Sequence, residues 1–167
     1  VAANGTLLAV MLDGRILAFG EGESSPGTYP MQPALADSIA RSADLAREIL
    51  TATKVREGYA LVYDPDTALV DALIAESDLH IAAVCPDAER VLKLRRHLDA
   101  TGFHGERAAV LQGDPLTLDL PPYMASLTVL AGLDPEEYPR DAALLARLFH
   151  STRPYGGIIW AAGTKAN

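Results

Sequence analysis

The sequence predicts an open, doubly wound α/β sheet of five parallel strands in the order 3-2-1-4-5, with a β-hairpin ahead of it. Three observations predict this. From residue 33 onward, short apolar runs alternate with amphipathic segments, as in buried strands joined by helices on both faces of a parallel sheet. Crossovers between parallel strands are right-handed almost without exception, which restricts five such strands to an open, doubly wound arrangement. Before residue 33 the character differs, and a tract rich in Gly, Pro and Ser marks the change.

The elements follow in order. Residues 6–12 and 15–19 are rich in aliphatic and β-forming residues, and Asp13-Gly14 lies between them. Asp-Gly supplies the positive φ angles of a tight hairpin turn. A lone hairpin is marginal in water, so this one needs a larger sheet or a packing partner. Residues 21–32 read as a linker, because Gly20, Gly22, Gly27, Pro26, Pro30, Ser24 and Ser25 break any periodic pattern. The domain division is therefore 1–20 for the hairpin, 21–32 for the linker and 33–167 for the main domain.

In the main domain, Leu35, Ile39, Ala43, Ala46, Ile49 and Leu50 recur at helical spacing and predict a helix over about 33–54. A strand follows at 59–63, then a helix at 69–75 with Val70, Leu73 and Ile74 on one face. A strand at 80–84 leads into a helix at 87–100, capped by Asp87 and stopped at Gly102. Strands at 108–111 and 126–130 come next, then a helix at 141–149 turning Leu144, Leu145 and Leu148 inward, and a strand at 158–161.

A length of 167 residues suits one such domain. With 49% apolar and 22% charged residues the chain can build a core. The formal net charge of -8 argues against nucleic acid and membrane as partners, because an acidic surface repels phosphate backbones and anionic lipid. The basic cluster Lys93, Arg95 and Arg96 reads as a solvated helix face. No run nears the roughly 20 apolar residues of a membrane span. Cys85 is the single cysteine, so no internal disulfide can form. The chain starts at Val1 rather than Met, and the expectation is a piece of a longer parent chain. The expected partners are a small molecule or a protein, and the rest of that parent.

Ligands of doubly wound sheets bind at the carboxyl ends of the strands, where the strand order reverses. The turn after the first strand normally carries glycines whose N–H groups approach the ligand. Here it reads Val62-Tyr63-Asp64-Pro65-Asp66-Thr67, without glycine. Pro65 has no N–H to donate, and Asp64 and Asp66 set negative charge where a pyrophosphate would lie, which argues against a dinucleotide oxidoreductase. Asp66 or Thr67 is expected to cap the next helix. The acidic residue that would hold ribose hydroxyls falls on Cys85. A thiol is a poor partner for two hydroxyls. Asp87 stands two residues on and reads first as a helix cap. Cys85 has no identifiable paired histidine and reads as a buried, inert thiol. Gly113-Asp114 ends the third strand, where Asp114 either accepts from an adenine amine or starts a turn. His80, His97, His104 and His150 show no metal-ligand spacing.

From about Ile49 to Ala161 the chain resembles the Rossmann-like, S-adenosylmethionine-dependent methyltransferases. The resemblance rests on Gly58-Tyr59-Ala60-Leu61-Val62-Tyr63, on Ile81-Ala82-Ala83-Val84-Cys85-Pro86-Asp87, on Gly113-Asp114, on the strand at 126–130, and on Arg153-Pro154-Tyr155-Gly156-Gly157. It implies S-adenosylmethionine as cofactor, with Asp64 and Asp66 in its loop, Cys85 or Asp87 at its ribose, and Gly113 and Asp114 at its adenine. The acceptor pocket would form around Ala131-Gly132-Leu133 and Pro121-Pro122-Tyr123. The loop glycines and the ribose acid are missing, and the chain has no length for the family's sixth and seventh strands. These departures predict a degenerate member with weak or no activity. Two functions follow: a methyltransferase that binds its cofactor through an altered loop, or a non-catalytic interaction or spacer module. Gly5-Thr6-Leu7-Leu8-Ala9-Val10 with Asp13-Gly14-Arg15-Ile16-Leu17-Ala18-Phe19 also resembles one repeat of a quinoprotein-type β-propeller, which implies a propeller in the parent chain.

Overall fold

The computed structural model describes residues 2–3, 6–10, 16–20, 36–132 and 142–161. The chain divides into two compact units, Val1–Pro30 and Met31–Asn167.

The first unit holds an antiparallel sheet of three strands, β1 (Ala2–Ala3), β2 (Thr6–Val10) and β3 (Ile16–Phe19), in the order β1-β2-β3. The hairpin pairing is as expected, with Leu7 opposite Phe19 and Val10 opposite Ile16. The two-residue strand β1 joins it through Ala2 opposite Leu7. The Asp13-Gly14 turn and the linker at 21–32 lie outside the described residues.

The second unit runs α1 (Ala36–Thr53), β4 (Glu57–Tyr63), α2 (Thr67–Glu76), β5 (Asp78–Cys85), α3 (Ala88–Thr101), β6 (Ala108–Gln112), β7 (Leu127–Leu130), α4 (Ala142–Ser151) and β8 (Ile158–Ala161). Its sheet has the order β6-β5-β4-β7-β8, and all four pairings are parallel. That is the predicted 3-2-1-4-5 order, with β4 in the middle.

Alternation along the strands sends side chains to two apolar layers. Val62, Ile81, Val110 and Val129 pack with Ile49 and Leu50 of α1, Leu73 of α2 and Leu98 of α3. Leu61, Tyr63, Val84 and Leu130 pack on the other face with Leu144 and Leu148 of α4. The connection from β6 to β7, residues 113–126, contains no helix. Leu118, Leu120 and Met124 from that connection cover part of the second layer instead.

The helix ends follow elementary capping chemistry. Asp66 and Asp87 are the N-caps of α2 and α3, accepting from the Leu69 and Arg90 backbone N–H groups at 2.7 Å each. Asp66 also accepts from the Ser42 hydroxyl of α1 at 3.0 Å. Gly102 ends α3 at φ 78°, a left-handed turn that glycine adopts without a Cβ penalty.

Arg107 and Arg95 each tie backbone segments together at β6. Arg107 donates to the carbonyls of Ser77 at 2.7 Å and Leu79 at 3.2 Å, joining the entry of β6 to the end of α2 and the start of β5. Arg95 donates to the Val110 carbonyl at 2.7 Å. This corrects the expectation of a solvated basic face: Lys93 and Arg96 are exposed, but Arg95 folds back on β6. Helical spacing aims Arg95 toward the sheet edge, where a free strand carbonyl needs a donor.

Candidate functional site at the strand tips

The strand order reverses at β4, whose neighbours are β5 and β7. Beyond the last paired residue of β4 the chain turns at Asp64, with φ 51°. Asp is among the few non-glycine types that tolerate this left-handed region, so the turn forms without the usual glycine. The Asp64 N–H donates to the Val84 carbonyl at 2.7 Å, which fixes the turn against β5.

On the other side, the N–H groups of Ala131 and Gly132 both donate to the Tyr63 carbonyl at 3.2 Å. The tips of β4 and β7 are thereby joined past their ladder. A Cβ at Gly132 would overlap the Asp64 carbonyl oxygen and stand 2.8 Å from Asp64 Oδ2. The glycine that permits close backbone approach therefore sits after β7, and what approaches it is Asp64.

Arg90, in the first turn of α3, reaches across to the turn that follows β4. Its guanidinium donates to Asp64 Oδ2 at 2.6 Å, to the Asp64 carbonyl at 3.3 Å and to the Pro65 carbonyl at 3.4 Å. The Asp64 side chain is 15% exposed and that of Arg90 is 47% exposed. Asp64 Oδ1 is buried and has no hydrogen-bond partner among the described residues. A cation in the first turn of a helix opposes the helix dipole, so Arg90 is held there by these acceptors.

The other sequence-chosen residues are occupied locally. Asp66 and Asp87 are helix caps. Asp114 accepts from the Leu116 N–H at 2.7 Å, and its carbonyl accepts from Thr117 and Leu118, so it starts a turn. Gly113 donates to the Cys85 carbonyl at 3.0 Å, and a Cβ there would lie 2.9 Å from the Leu118 side chain. Cys85 is fully buried. Burial pushes its thiol pKa up, Asp64 and Asp87 add to the rise, and Arg90 partly offsets it. The thiol is protonated at neutral pH and is no nucleophile.

Sequence reasoning brought Asp64, Cys85, Asp87 and Asp114 to neighbouring strand tips correctly. It missed Arg90, and it placed Gly132 in a loop around an acceptor pocket without its packing on Asp64. Arg90 left one signal, a cation where a helix start favours an anion. Among the described residues, no group of three or more His, Cys, Asp or Glu side chains could hold a metal ion, and no helix is long and apolar enough to cross a membrane. His97 pairs with Asp71 at 2.7 Å and His104 with Asp99 at 2.9 Å.

A pocket of about 230 Å³ opens on the α4 face, lined by Tyr63, Leu118, Asp119, Arg147, His150 and Ser151 among others. Burial pushes the Tyr63 phenol pKa up, and a hydrogen bond with Ser151 and the Arg147 charge act against the rise. Tyr123, at φ 58°, brings its ring to 6.4 Å from that of His150.

No protein-family model matches the chain, and no curated protein matches it. Solved structures do. A proposed S-adenosyl-L-methionine-dependent methyltransferase from Methanococcus maripaludis aligns with a TM-score of 0.66 at 16% identity, over 82% of this chain and 68% of that one. A proposed sarcosine dimethylglycine methyltransferase from Galdieria sulphuraria gives 0.61 at 13% identity, over 73% of this chain. The [4+2]-cyclase SpnF gives 0.62 at 15% identity, over 71% of this chain. The aligned parts span 46% and 43% of the lengths of these last two. The second unit thus has the α/β fold of the S-adenosylmethionine-dependent methyltransferases, with its five parallel strands in the same order.

Proposed function

We propose that this chain is a methyltransferase-fold domain with weak or no methyl-transfer activity, acting as an interaction or spacer module in a longer protein. The observation that carries the reading is the state of the strand tips. The acids suited to hold a cofactor already have partners inside the chain: Asp64 has Arg90, Asp66 and Asp87 have helix N–H groups, and Asp114 has its own turn. S-adenosylmethionine offers two ribose hydroxyls that need an acceptor, and Cys85 at the expected position is buried and protonated. Asp64 packs on Gly132 and Arg90 covers the β4 tip, which narrows the space for an adenosyl group. With Arg90 in place, the residues present do not fit the cofactor.

The fold alone does not require methyl transfer, and a structural neighbour named as a [4+2]-cyclase agrees with that separation. A partner role draws support from the first unit. Leu7, Ala9, Leu17 and Phe19 share one face of its sheet by register, and β1, β2 and β3 carry no charged residue. A small sheet of that composition calls for cover. The propeller-repeat resemblance of β2 and β3 names a β-sheet of the parent chain as that cover.

The alternative reading, an active methyltransferase with an altered loop, draws on the neighbours' names and on the pocket beside Tyr63 as an acceptor site. Calorimetric titration with S-adenosylmethionine and S-adenosylhomocysteine decides between them. Losing two charge-assisted bonds to ribose costs about 3 kcal/mol, roughly a hundredfold in affinity. The expected result is no binding tighter than about 100 µM. A low-micromolar dissociation constant that Asp114→Ala abolishes would restore the enzyme.

A further inference from the structure

We propose that the tip of β4 is a cation-receiving site plugged by the chain's own Arg90, and that an organic cation can take the place of the guanidinium. The proposal rests on the closed strand tips of the preceding reading and names the chemistry the closed site would accept.

Acceptors converge there. Asp64 Oδ2, the Asp64 carbonyl and the Pro65 carbonyl all face one guanidinium, at 2.6, 3.3 and 3.4 Å. Asp64 Oδ1 is buried beside them with no partner among the described residues. A buried carboxylate oxygen without a donor is costly, so the site has unused accepting capacity that the forked donors of Arg90 do not reach.

The two sides of the pair are unequally fixed. Asp64 is held by the bond from its N–H to the Val84 carbonyl and by close packing on Gly132, neither of which involves Arg90. Its side chain is mostly buried, whereas that of Arg90 is half exposed. The start of α3 is secured by the Asp87 cap, not by the Arg90 side chain. Arg90 can therefore swing into solvent while its helix and the receiving turn stay in place. The swing also relieves the unfavourable contact between a cation and the helix N-terminus. The receptor is a rigid acceptor set and the plug is the mobile part.

The ligand class follows from the acceptors: an organic cation with a guanidinium or ammonium head whose N–H groups can donate to them. Three oxygen acceptors with one formal charge have nothing to offer an anion, and Asp87 nearby adds to the negative potential.

The experiment uses the full chain, as wild type, Arg90→Ala and Arg90→Gln, followed by the fluorescence of its single tryptophan, Trp160, during thermal unfolding and by calorimetry. Two probes are added: methylguanidinium chloride, with sodium chloride as the ionic control, and S-adenosylmethionine. We expect methylguanidinium to raise the midpoint of both variants saturably while leaving the wild type unmoved. We expect S-adenosylmethionine to bind the variants at least about tenfold more tightly than the wild type. Adding Asp64→Asn should cancel both gains. Folded variants that respond to neither probe would overturn the plug while leaving the closed-site reading intact. Tight binding of S-adenosylmethionine by the wild type would overturn that reading itself. Failure of both variants to fold would show that Arg90 is an undisplaceable structural tie, which also contradicts the proposal.

Discussion

An arginine ties each end of the main sheet, and the two ties differ in what they close. At the amino end Arg107 joins β6 to the carbonyls of Ser77 and Leu79. At the carboxyl end Arg90 joins α3 to Asp64 and Pro65. An open α/β sheet uses its amino end for stability and keeps the crevice outside its carboxyl end for ligands. Arg107 therefore sits where a tie belongs. Arg90 sits at the end where such sheets bind ligands, and on the proposed reading it closes that end with the same kind of contact. On the proposed reading, what matters is less the missing glycines than a side chain that takes over the space they would have opened.

The largest effect should come from breaking the amino-end tie. Arg107→Ala removes charged donors from the partly buried carbonyls of Leu79 and Ser77. Hydrogen bonds to charged groups are each worth about 1.5–3 kcal/mol and do not add fully. The expected loss is about 3 kcal/mol, or on the order of 10 °C in the unfolding midpoint. Chemical denaturation followed through Trp160 measures it. A loss below about 0.5 kcal/mol would remove the contrast, because Arg107 would then be no tie.

Much of the fold was legible in the sequence. The spacing of Ile49 and Leu50 in α1, of Leu73 and Ile74 in α2 and of Leu144 and Leu148 in α4 marked the buried faces. Asp87 and Gly102 marked both ends of α3, and the strand at 158–161 ran as expected. Local chemistry sets such features. The start of β4 was less legible. Glu57 and Gly58 are poor strand formers, and they extend β4 only because they pair with Asp78 and Leu79. β1 is two alanines with no strand signal, recruited by the edge of β2.

The site was half legible. The strand tips and their acids could be placed, and the capping roles of Asp66 and Asp87 follow from helix starts. The partner of Asp64 could not be read, since Arg90 lies 26 residues away and meets it only once β4 and β5 are paired in register. The loop holding Gly132 was legible, but its packing on Asp64 was hidden for the same reason, being set by the approach of another strand's tip.

The smallest expected effect concerns pH and sharpens the account of Cys85. Burial raises its pKa in the folded chain, so the neutral thiol is favoured there. The unfolded chain releases that proton first. The contribution is fully present below the ordinary thiol pKa and is lost as pH rises through and above it. Unfolding free energy should therefore decline as pH is raised past about 9. Cys85→Ala should flatten the first part of that decline, ahead of the Tyr63 phenol, whose raised pKa acts in the same direction from a higher starting point. A curve that Cys85→Ala leaves unchanged would mean that the thiol is not desolvated.

The closed carboxyl end is tested most directly by amide chemical shifts of the isotope-labelled wild-type chain titrated with S-adenosylhomocysteine into the millimolar range. The reporters are Asp64, Gly113, Asp114 and Gly132, whose backbones line the strand tips. Closure predicts that none of the four moves beyond the drift of the remaining amides. Progressive, saturating shifts at all four would show an open crevice that takes the cofactor product and would contradict the account.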